Sequence, residues 1–233
     1  MSQEGLGRFW VTLHVKKEAI VIKLPNKSEL ILEAALKLFS TQGFYATTIP
    51  QIAKSIGMSA GNIYNYYKSK ELLAREIIRY SSKMIAAEIQ RINEMPLSAK
   101  EKIRKIVEVY FLIAQQKPEH LDYFLRVFLS NKEVFKEGCE GMLCVREFMT
   151  ELMIFFEEGV RKGELRNQDF FTAFGLFMGY LGGFVFLKGE NTLSRELLSY
   201  TDEIAENIYR ALKAEDAPWI HPFLCGLDSR AYM

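Results

Sequence analysis

The stretch "TTIPQIAKSIGMSAGNIYNYYKSKELL", residues 47–73, decides how the rest of the chain is interpreted. Thr48 followed by Gln51 has the form of a capping box, which predicts a short helix beginning after Thr48. Gly57 permits a sharp turn, and Ser59 is typical of the residue that caps a second short helix. Two short helices joined by such a turn make a helix-turn-helix, which predicts a DNA-reading unit.

Packing requirements divide the second short helix into an inner and an outer face. Ala53 is small where the two helices cross, while Met58 and Ile63 fill the angle between them. The remaining side chains are small or polar and uncharged, and they face outward: Ser59, Ala60, Asn62, Asn65 and Tyr66. With lysines at 54, 68 and 70 on either side, this face suits insertion between two phosphate strands.

Helices are predicted on both sides of this unit. Apolar residues recur at helical spacing from Ile31 to Phe39, with a capping box formed by Asn26 and Glu29. Gly43 ends this supporting helix. A long fourth helix, 69–93, follows the stretch.

The residues now assembled resemble the helix-turn-helix signature of the TetR/AcrR (tetracycline-repressor) family of bacterial transcriptional regulators. The matching positions are Thr48, Ile52, Ala53, Gly57, Ser59, Gly61, Ile63, Tyr64, Tyr66, Tyr67, Lys70, Glu71 and Leu72. With the supporting helix, the resemblance covers residues 28–75. It implies an all-α chain in which a three-helix DNA-binding domain precedes a larger helical domain that dimerises and binds an effector.

The same resemblance implies roles for individual residues. The groove-facing residues would be Ala60, Gly61, Asn62, Asn65 and Tyr66, and the phosphate contacts would be Thr47, Thr48, Tyr64, Tyr66 and Lys70. The chemistry agrees, because hydroxyls and a lysine near helix N-termini bind phosphate and asparagine pairs with the adenine edge. Two alternatives stay open. The side chain of Asn62 can form a local hydrogen bond to the turn instead, and Tyr67, and in part Tyr64, can pack in the core.

The distribution of charge supports a polyanion partner at the N-terminal end. The chain of 233 residues has a formal net charge of only +1. Residues 27–80, however, carry seven Lys and Arg against four Asp and Glu, whereas residues 81–233 carry nineteen against twenty-three. Positive charge therefore accompanies the predicted helix-turn-helix.

Four regions are predicted along the chain: an extension at 1–26, the DNA-binding domain at 27–72, a helical ligand-binding and dimerisation domain at 73–213, and a tail at 214–233. No strand pattern occurs within 28–213, so the second domain is expected to be all-α. We expect an effector there to swing the fourth helix and alter the spacing of two recognition helices on a palindromic operator. Release and promotion of DNA binding by the effector both stay open.

Residues 170–187 have no charge and admit two interpretations. Their length approaches that of a membrane span, and glycines at 175, 179 and 183 suit close helix packing. A helix that is apolar all round also fits the centre of a helical domain. The family resemblance places 170–187 and 194–213 at a homodimer interface, so a cytoplasmic homodimer without membrane contact is the expectation, with a membrane-associated helical protein as the lesser alternative.

Phenylalanine is concentrated in the second domain, where thirteen of the seventeen lie between residues 111 and 186. This richness favours a hydrophobic effector, fatty acyl or aromatic, over a sugar or nucleotide. The candidate contacts are Tyr110, Phe111, Phe124, Phe128, Met149, Met153, Phe156, Phe174, Phe177 and Met178. Core packing remains the alternative for each of them, as does a DNA-binding protein without an effector. His120 is expected at the surface.

Other function classes lack their residues in this sequence. No phosphate loop, nucleophile elbow or metal-ligand pair stands out, so neither catalysis nor a cofactor nor a metal is expected. Cysteines at 139, 144 and 225 fit a reducing cytoplasm, with Cys139 and Cys144 as small hydrophobic residues.

Both ends depart from the family pattern. Residues 9–15 alternate like a strand apart from Trp10, which leaves a hairpin, a disordered tail or a misassigned start open for the extension. In the tail, two prolines argue against a regular helix. Its apolar residues, Trp219, Ile220, Phe223 and Leu224, are expected to dock on this subunit or on another.

Overall fold

The computed structural model describes residues 11–15, 18–22, 26–130 and 143–214, with side chains within 26–125 and 144–214. These residues form a two-stranded hairpin followed by nine helices. The elements are β1 (Val11–Val15), β2 (Glu18–Ile22), α1 (Lys27–Gln42), α2 (Ile49–Ser55), α3 (Ala60–Tyr66), α4 (Lys70–Asn93), α5 (Ala99–Gln116), α6 (Pro118–Ser130), α7 (Arg146–Arg161), α8 (Phe170–Gly189) and α9 (Thr201–Leu212). Short 3-10 turns, Leu143–Val145 and Leu197–Tyr200, precede α7 and α9.

The helices belong to two compact units that do not follow the predicted domain boundary. The N-terminal unit comprises the described residues of 1–82 and 119–145, and the C-terminal unit comprises those of 83–118 and 146–214. The boundary predicted between residues 72 and 73 stays a prediction; in the structure, α4 contributes to both units and α6 joins the first. Packing between distant residues attaches α6 to the first unit: the ring of Tyr123 in α6 stacks on that of Phe39 in α1, with ring centroids 6.3 Å apart.

Local capping signals set the limits of the first helices as predicted. The side chain of Asn26 accepts a hydrogen bond from the backbone N–H of Glu29, completing a capping box at the start of α1. Thr48 and Gln51 form the second box, at the start of α2. Gly43 and Gly57 have φ values of 84° and 66°, which side chains rarely allow.

The core of the N-terminal unit lies between α1, α2, α3 and the first half of α4. Its fully buried residues include Ile31, Ala35, Ile52, Ile63, Leu73 and Ile77. Tyr67 is also buried, and its hydroxyl shares a hydrogen bond with the Ser28 hydroxyl of α1. The core interpretation of Tyr67 is therefore the one that the structure supports, and burial raises the pKa of its hydroxyl.

A hairpin precedes this unit. β1 and β2 pair antiparallel with Val11 opposite Ile22 and Val15 opposite Glu18, so the alternating pattern at 9–15 reports a strand. The expectation of an all-α chain is met from residue 27 onward within the described residues. Of the possibilities predicted for the extension, the structure shows the hairpin, formed by Val11–Val15 and Glu18–Ile22.

The C-terminal unit is a helical assembly in which α5 packs against α9 and α8, and α7 packs against α8. Aromatic side chains fill its centre, with Phe111, Phe148, Phe155 and Phe177 almost fully buried. A buried lysine, Lys102, ties α5 to α7 through an ion pair of 2.7 Å with Glu158. The unit is thus held by apolar packing and by ion pairs between helices, of which Lys102–Glu158 includes the buried lysine.

Two expectations about single residues are wrong. His120 is buried, because α6 packs within the N-terminal unit and brings its ring 2.9 Å from Glu33 and 2.9 Å from Ser81. Cys144 is buried and disulfide-bonded, rather than a reduced hydrophobic residue. The other two cysteines, Cys139 and Cys225, lie outside the described residues.

Candidate nucleic-acid interface

The cap of α3 and one buried isoleucine fix how this short helix is presented. The hydroxyl of Ser59 accepts a hydrogen bond of 3.2 Å from the backbone N–H of Asn62. Ile63 is fully buried and anchors the inner side of the helix. The opposite side is open to solvent, as the sequence predicted, and Ala60 at its edge is half-buried.

Five exposed residues of α3 form what we call the recognition face: Gly61, Asn62, Tyr64, Asn65 and Tyr66. Tyr64 is 45% and Tyr66 44% exposed, so neither ring is committed to the core. Among the described residues, neither asparagine side chain is engaged in a hydrogen bond. Amide groups and phenols that are free in this way can donate to and accept from base edges and phosphates.

Thr48 and its neighbour Thr47 have opposite environments. Thr48 is exposed at the start of α2, where its hydroxyl lies 2.9 Å from the side-chain oxygen of Gln51. Thr47 is fully buried, and its hydroxyl donates to the carbonyl of Gly43 at 2.8 Å. The Thr47 side chain therefore holds the turn before α2 rather than facing solvent.

Lys70 is also engaged inside the protein. Its ammonium donates to the carbonyls of Phe44 at 2.9 Å and Thr47 at 3.0 Å. The same group lies 4.3 Å from the centroid of the Phe44 ring, a cation–π contact. In this arrangement Lys70 positions the turn at residues 44–47 beside the recognition face, and Lys54 and Lys68 supply exposed positive charge.

The sequence interpretation missed Tyr45. This side chain is 66% exposed and packs edge-on against Phe44, with ring centroids 5.4 Å apart. It lies in the turn that Lys70 holds, so it adds a hydroxyl and an aromatic ring next to α2. An aromatic residue two positions before the "TT" of the quoted stretch was the available signal.

The residues predicted to contact an effector lie in different parts of the structure. Six of them are buried in the core of the C-terminal unit: Tyr110, Phe111, Met149, Phe174, Phe177 and Met178. Met153 and Phe156 instead line an open cavity between α7 and α8. Phe124 is buried in the N-terminal unit, and the side chain of Phe128 lies outside the described residues. Tyr110, Phe177 and Met178 line one cavity, and Met153 and Phe156 line another.

The core around Tyr110 contains a void of about 10 Å³, enclosed by Ile85, Ile89, Phe148, Phe177, Met178 and neighbouring apolar residues. The Tyr110 hydroxyl is buried without a hydrogen-bond partner among the described residues. Burial raises the pKa of this hydroxyl. An unpaired buried hydroxyl is costly, and it would gain from an acceptor brought in by a ligand.

Among the described residues, no group of three or more His, Cys, Asp or Glu side chains is arranged to hold a metal ion. The same residues include one helix, α8, that is long and apolar enough to cross a membrane. Only 28% of its apolar window is buried within the chain. A large apolar surface of α8 is therefore left for another contact.

The fold and the recognition face define a helix-turn-helix DNA-binding protein with a second helical unit. Residues 31–77 match the bacterial regulatory proteins of the tetR family. The chain is a transcriptional regulator of this family.

Known proteins support this assignment. The uncharacterised HTH-type transcriptional regulator YhgD of Bacillus subtilis is 26% identical over 159 residues, which span 67% of this chain and 81% of YhgD. The HTH-type transcriptional regulator RutR of Escherichia coli K12 is 40% identical over 145 residues, 61% of this chain and 66% of RutR. The structure of FadR from Bacillus subtilis in complex with stearoyl-CoA is similar in fold, with a TM-score of 0.64 and 20% identity over 78% of this chain and 98% of FadR.

Proposed function

We propose that the protein binds a palindromic operator as a homodimer and represses transcription in the cytoplasm until a hydrophobic effector changes its affinity for DNA. The observation that carries this proposal is the recognition face, an exposed polar helix surface held by two caps and by Lys70. One such helix per chain reads one half-site, and a two-fold dimer therefore matches a palindrome.

The exposed surface of α8 supports the homodimer. Phe171, Tyr180 and Phe186 are exposed on this helix. Gly175, Gly179 and Gly183 follow a spacing of four, and a Cβ built on any of them meets no atom within 4 Å. A stripe of small residues flanked by exposed aromatic rings suits close approach by a second copy of α8. The exposed side of α9 would lie beside it, as the resemblance implies.

The effector site that we propose is the core around Tyr110. Its void of about 10 Å³ holds no more than a water molecule, so a ligand has to open it by displacing apolar side chains. A pocket that opens only for its ligand gives the two states of unequal affinity that allosteric control needs. Tyr110 would supply the one polar contact to an otherwise apolar molecule.

The lining of this core also suggests how the signal would travel. Ile85 and Ile89 line the void and belong to α4, which runs without interruption from Lys70 to Asn93. Lys70 holds the turn before α2. Displacement of the second half of α4 by an effector would therefore be passed along one helix to the residue that positions the DNA-reading turn.

The chemistry of the core favours a molecule with a long apolar part, such as a fatty acyl chain. FadR of Bacillus subtilis, which shares the fold, was crystallised with stearoyl-CoA. Palmitoyl-CoA, palmitate and a set of aromatic amphiphiles are therefore the first compounds to test.

Thermal unfolding with these compounds tests the effector site. At 100 times its dissociation constant, a bound effector stabilises the protein by about 2.7 kcal/mol, which raises the Tm. Tyr110→Phe is expected to lower the affinity for the effector about tenfold, because it removes the polar contact, and so to reduce this stabilisation. Tyr123→Phe is the matched control, since Tyr123 is another buried hydroxyl without a partner among the described residues but lies in the N-terminal unit. Stabilisation by no compound would favour a DNA-binding protein without an effector.

A further inference from the structure

An open apolar cavity lies on the C-terminal unit, apart from the core around Tyr110. Its volume is about 350 Å³, and we call it the α7–α8 cavity. Its apolar walls come from Met153, Phe156 and Val160 of α7, from Phe170 and Ala173 of α8, and from Leu165 and Leu212. Apolar walls of this kind gain free energy when an apolar group covers them.

The described chain ends beside this cavity. Leu212, which lines it, accepts a backbone hydrogen bond of 2.9 Å from Arg166. Two residues later, the N–H of Ala214 donates to the carbonyl of Glu164 at 3.1 Å. These bonds, with an antiparallel bridge between Leu165 and Lys213, hold the start of residues 214–233 at the edge of the cavity.

The residues that come next have the composition to fill it. Residues 215–224 read "EDAPWIHPFL", with two acidic residues followed by four large apolar ones. Trp219 is five residues beyond Ala214, so an extended chain carries it up to about 17 Å. That reach exceeds the width of the cavity, which is about 9 Å if its volume is taken as a sphere. Pro218 and Pro222 favour an extended backbone, the form in which a short segment lies along a groove.

The charges of the cavity and of the segment that follows Ala214 are complementary as well. Arg161 and Arg166 line the cavity and are exposed, and neither is part of an ion pair among the described residues. Glu215 and Asp216 directly precede the apolar part of the segment. Acidic residues at that point can pair with the two arginines while the apolar residues enter the cavity.

We propose that residues 215–224 dock in the α7–α8 cavity of their own chain, with Trp219 as the anchor. A large aromatic side chain in a desolvated pocket typically carries most of the energy of such a contact. The covalent link also makes the contact intramolecular, at an effective concentration in the millimolar range for a short linker. The segment thereby covers the apolar walls of α7 and α8.

Fluorescence of the full chain tests this directly, because the sequence has only two tryptophans, Trp10 and Trp219. In the W10F variant, Trp219 is the sole reporter. Docking predicts blue-shifted emission and protection from acrylamide quenching. Adding Met153→Glu, which places a charge in the cavity wall, is expected to shift the emission to that of solvent-exposed tryptophan and to raise the quenching constant at least threefold.

Ile154→Glu in the same background is the matched control. Met153 and Ile154 are neighbours on α7 and are 42% and 44% exposed, but only Met153 lines the cavity. The control is expected to leave the emission unchanged, and circular dichroism would show that both variants are folded. Solvent-like emission of the W10F protein itself would leave the cavity to another occupant and overturn the proposal, as would equal effects of the two substitutions.

Mixed dimers distinguish docking of the segment on its own chain from docking on the partner subunit. One subunit would carry W10F with Met153→Glu, and the other would carry W10F with Trp219→Phe and an intact cavity. Docking within the chain predicts an exposed Trp219 in this dimer. A buried Trp219 would assign the segment to the cavity of the partner subunit and contradict docking on its own chain. This last arm rests on the proposed homodimer, whereas the single-tryptophan comparison does not.

Discussion

At the scale of single residues, Lys70 shows how a side chain can serve DNA binding from inside the protein. Its ammonium is shared between the carbonyls of Phe44 and Thr47 and the face of the Phe44 ring. Hydrogen bonds to a charged group contribute more to stability than neutral ones, about 1.5–3 kcal/mol each. Lys70 therefore holds the turn at residues 44–47 against unfolding and keeps it beside α3.

Lys70→Met is expected to lower the free energy of unfolding by about 2 kcal/mol and to weaken operator binding at every salt concentration. Lys68→Met is the control, because Lys68 is exposed nearby. It is expected to leave stability unchanged and to weaken DNA binding mainly at low salt, which reduces the salt dependence. Urea unfolding and DNA titrations at two salt concentrations measure both effects. Equal stability of the two variants would contradict the role assigned to Lys70.

Glu158 makes stability depend on acid pH. Hydrogen bonds from Lys102 and then Lys162 lower the pKa of Glu158 to about 2. Because the folded pKa lies below the ordinary value of about 4.3, the ion pair stabilises the fold above about pH 5. That contribution is lost as the pH falls from there toward 2. Acid unfolding is therefore expected to begin in this window.

Glu158→Gln is expected to cost about 2 kcal/mol at pH 7, because it leaves the buried Lys102 without its carboxylate. The difference from the unsubstituted protein should shrink as the pH falls from 5 toward 2. Glu157→Gln, an exposed neighbour on α7, serves as the control and should change little. Urea unfolding at pH 7 and pH 3 checks the prediction, and a difference that stays constant with pH would contradict it.

For the residues predicted to contact DNA, sequence patterns identified the positions along the chain better than they identified which side chains are buried. Asn62 and Tyr66 were placed on an outer face by helical spacing, and the structure exposes both. The resemblance assigned phosphate contacts to Thr47 and Lys70 too, but their side chains turn inward to backbone carbonyls. Such carbonyls leave no mark in a sequence, so spacing alone could not separate a phosphate contact from a residue that supports one.

At the scale of elements, α8 is the helix whose apolar sequence is least matched by burial within a single chain. It is apolar on all sides, yet most of its apolar window is not buried in the chain. A membrane or a second subunit would cover the apolar surface that the described residues leave open. The helix-turn-helix and the glycine stripe favour the second subunit.

Gly179→Arg is expected to convert the homodimer to a monomer, because it puts a charged side chain into the stripe along which two copies of α8 would meet. No atom of the chain lies within 4 Å of a Cβ at Gly179, so the monomer itself should tolerate the change. Light scattering after gel filtration gives the mass, with Ile154→Arg on α7 as the control. A variant that remains dimeric would contradict the proposed interface.

The attachment of α6 depends on His120. Its ring connects α6 to Glu33 of α1 and to Ser81 of α4, and all three residues belong to the N-terminal unit. His120→Leu leaves the fully buried Ser81 hydroxyl without this partner and is expected to lower the free energy of unfolding by about 2 kcal/mol. Glu119→Gln, one residue away and exposed, should have no such effect in urea unfolding. A stability of His120→Leu equal to that of the control would contradict this role.

Elements were predicted well where their signals are local. The caps at Asn26, Thr48 and Ser59 lie within four residues of what they bind, so their sequence was sufficient to set the starts of α1, α2 and α3. The membership of α6 depends on His120 finding a partner 87 residues away in sequence. Contacts at that separation could not be inferred from one sequence.

At the scale of the whole molecule, one chain combines the exposed recognition face with the proposed dimer surface and the proposed effector core. The recognition face is an observation, whereas the dimer and the effector core are proposals that depend on partners. Reading of a palindrome requires both the face and the dimer. The central claim is therefore tested by DNA recognition itself rather than by any single contact.

Selection of bound sequences from random duplex DNA by the purified protein, at a fixed salt concentration, is the most direct test. The account predicts one recurring palindrome, with affinity lost at least tenfold on Asn65→Ala in the recognition face and retained on Ile154→Glu in α7. Gly179→Arg should also lose the palindrome, because a monomer reads only one half-site. Recovery of no common sequence, or equal binding by Asn65→Ala and Ile154→Glu, would contradict the claim that α3 reads an operator.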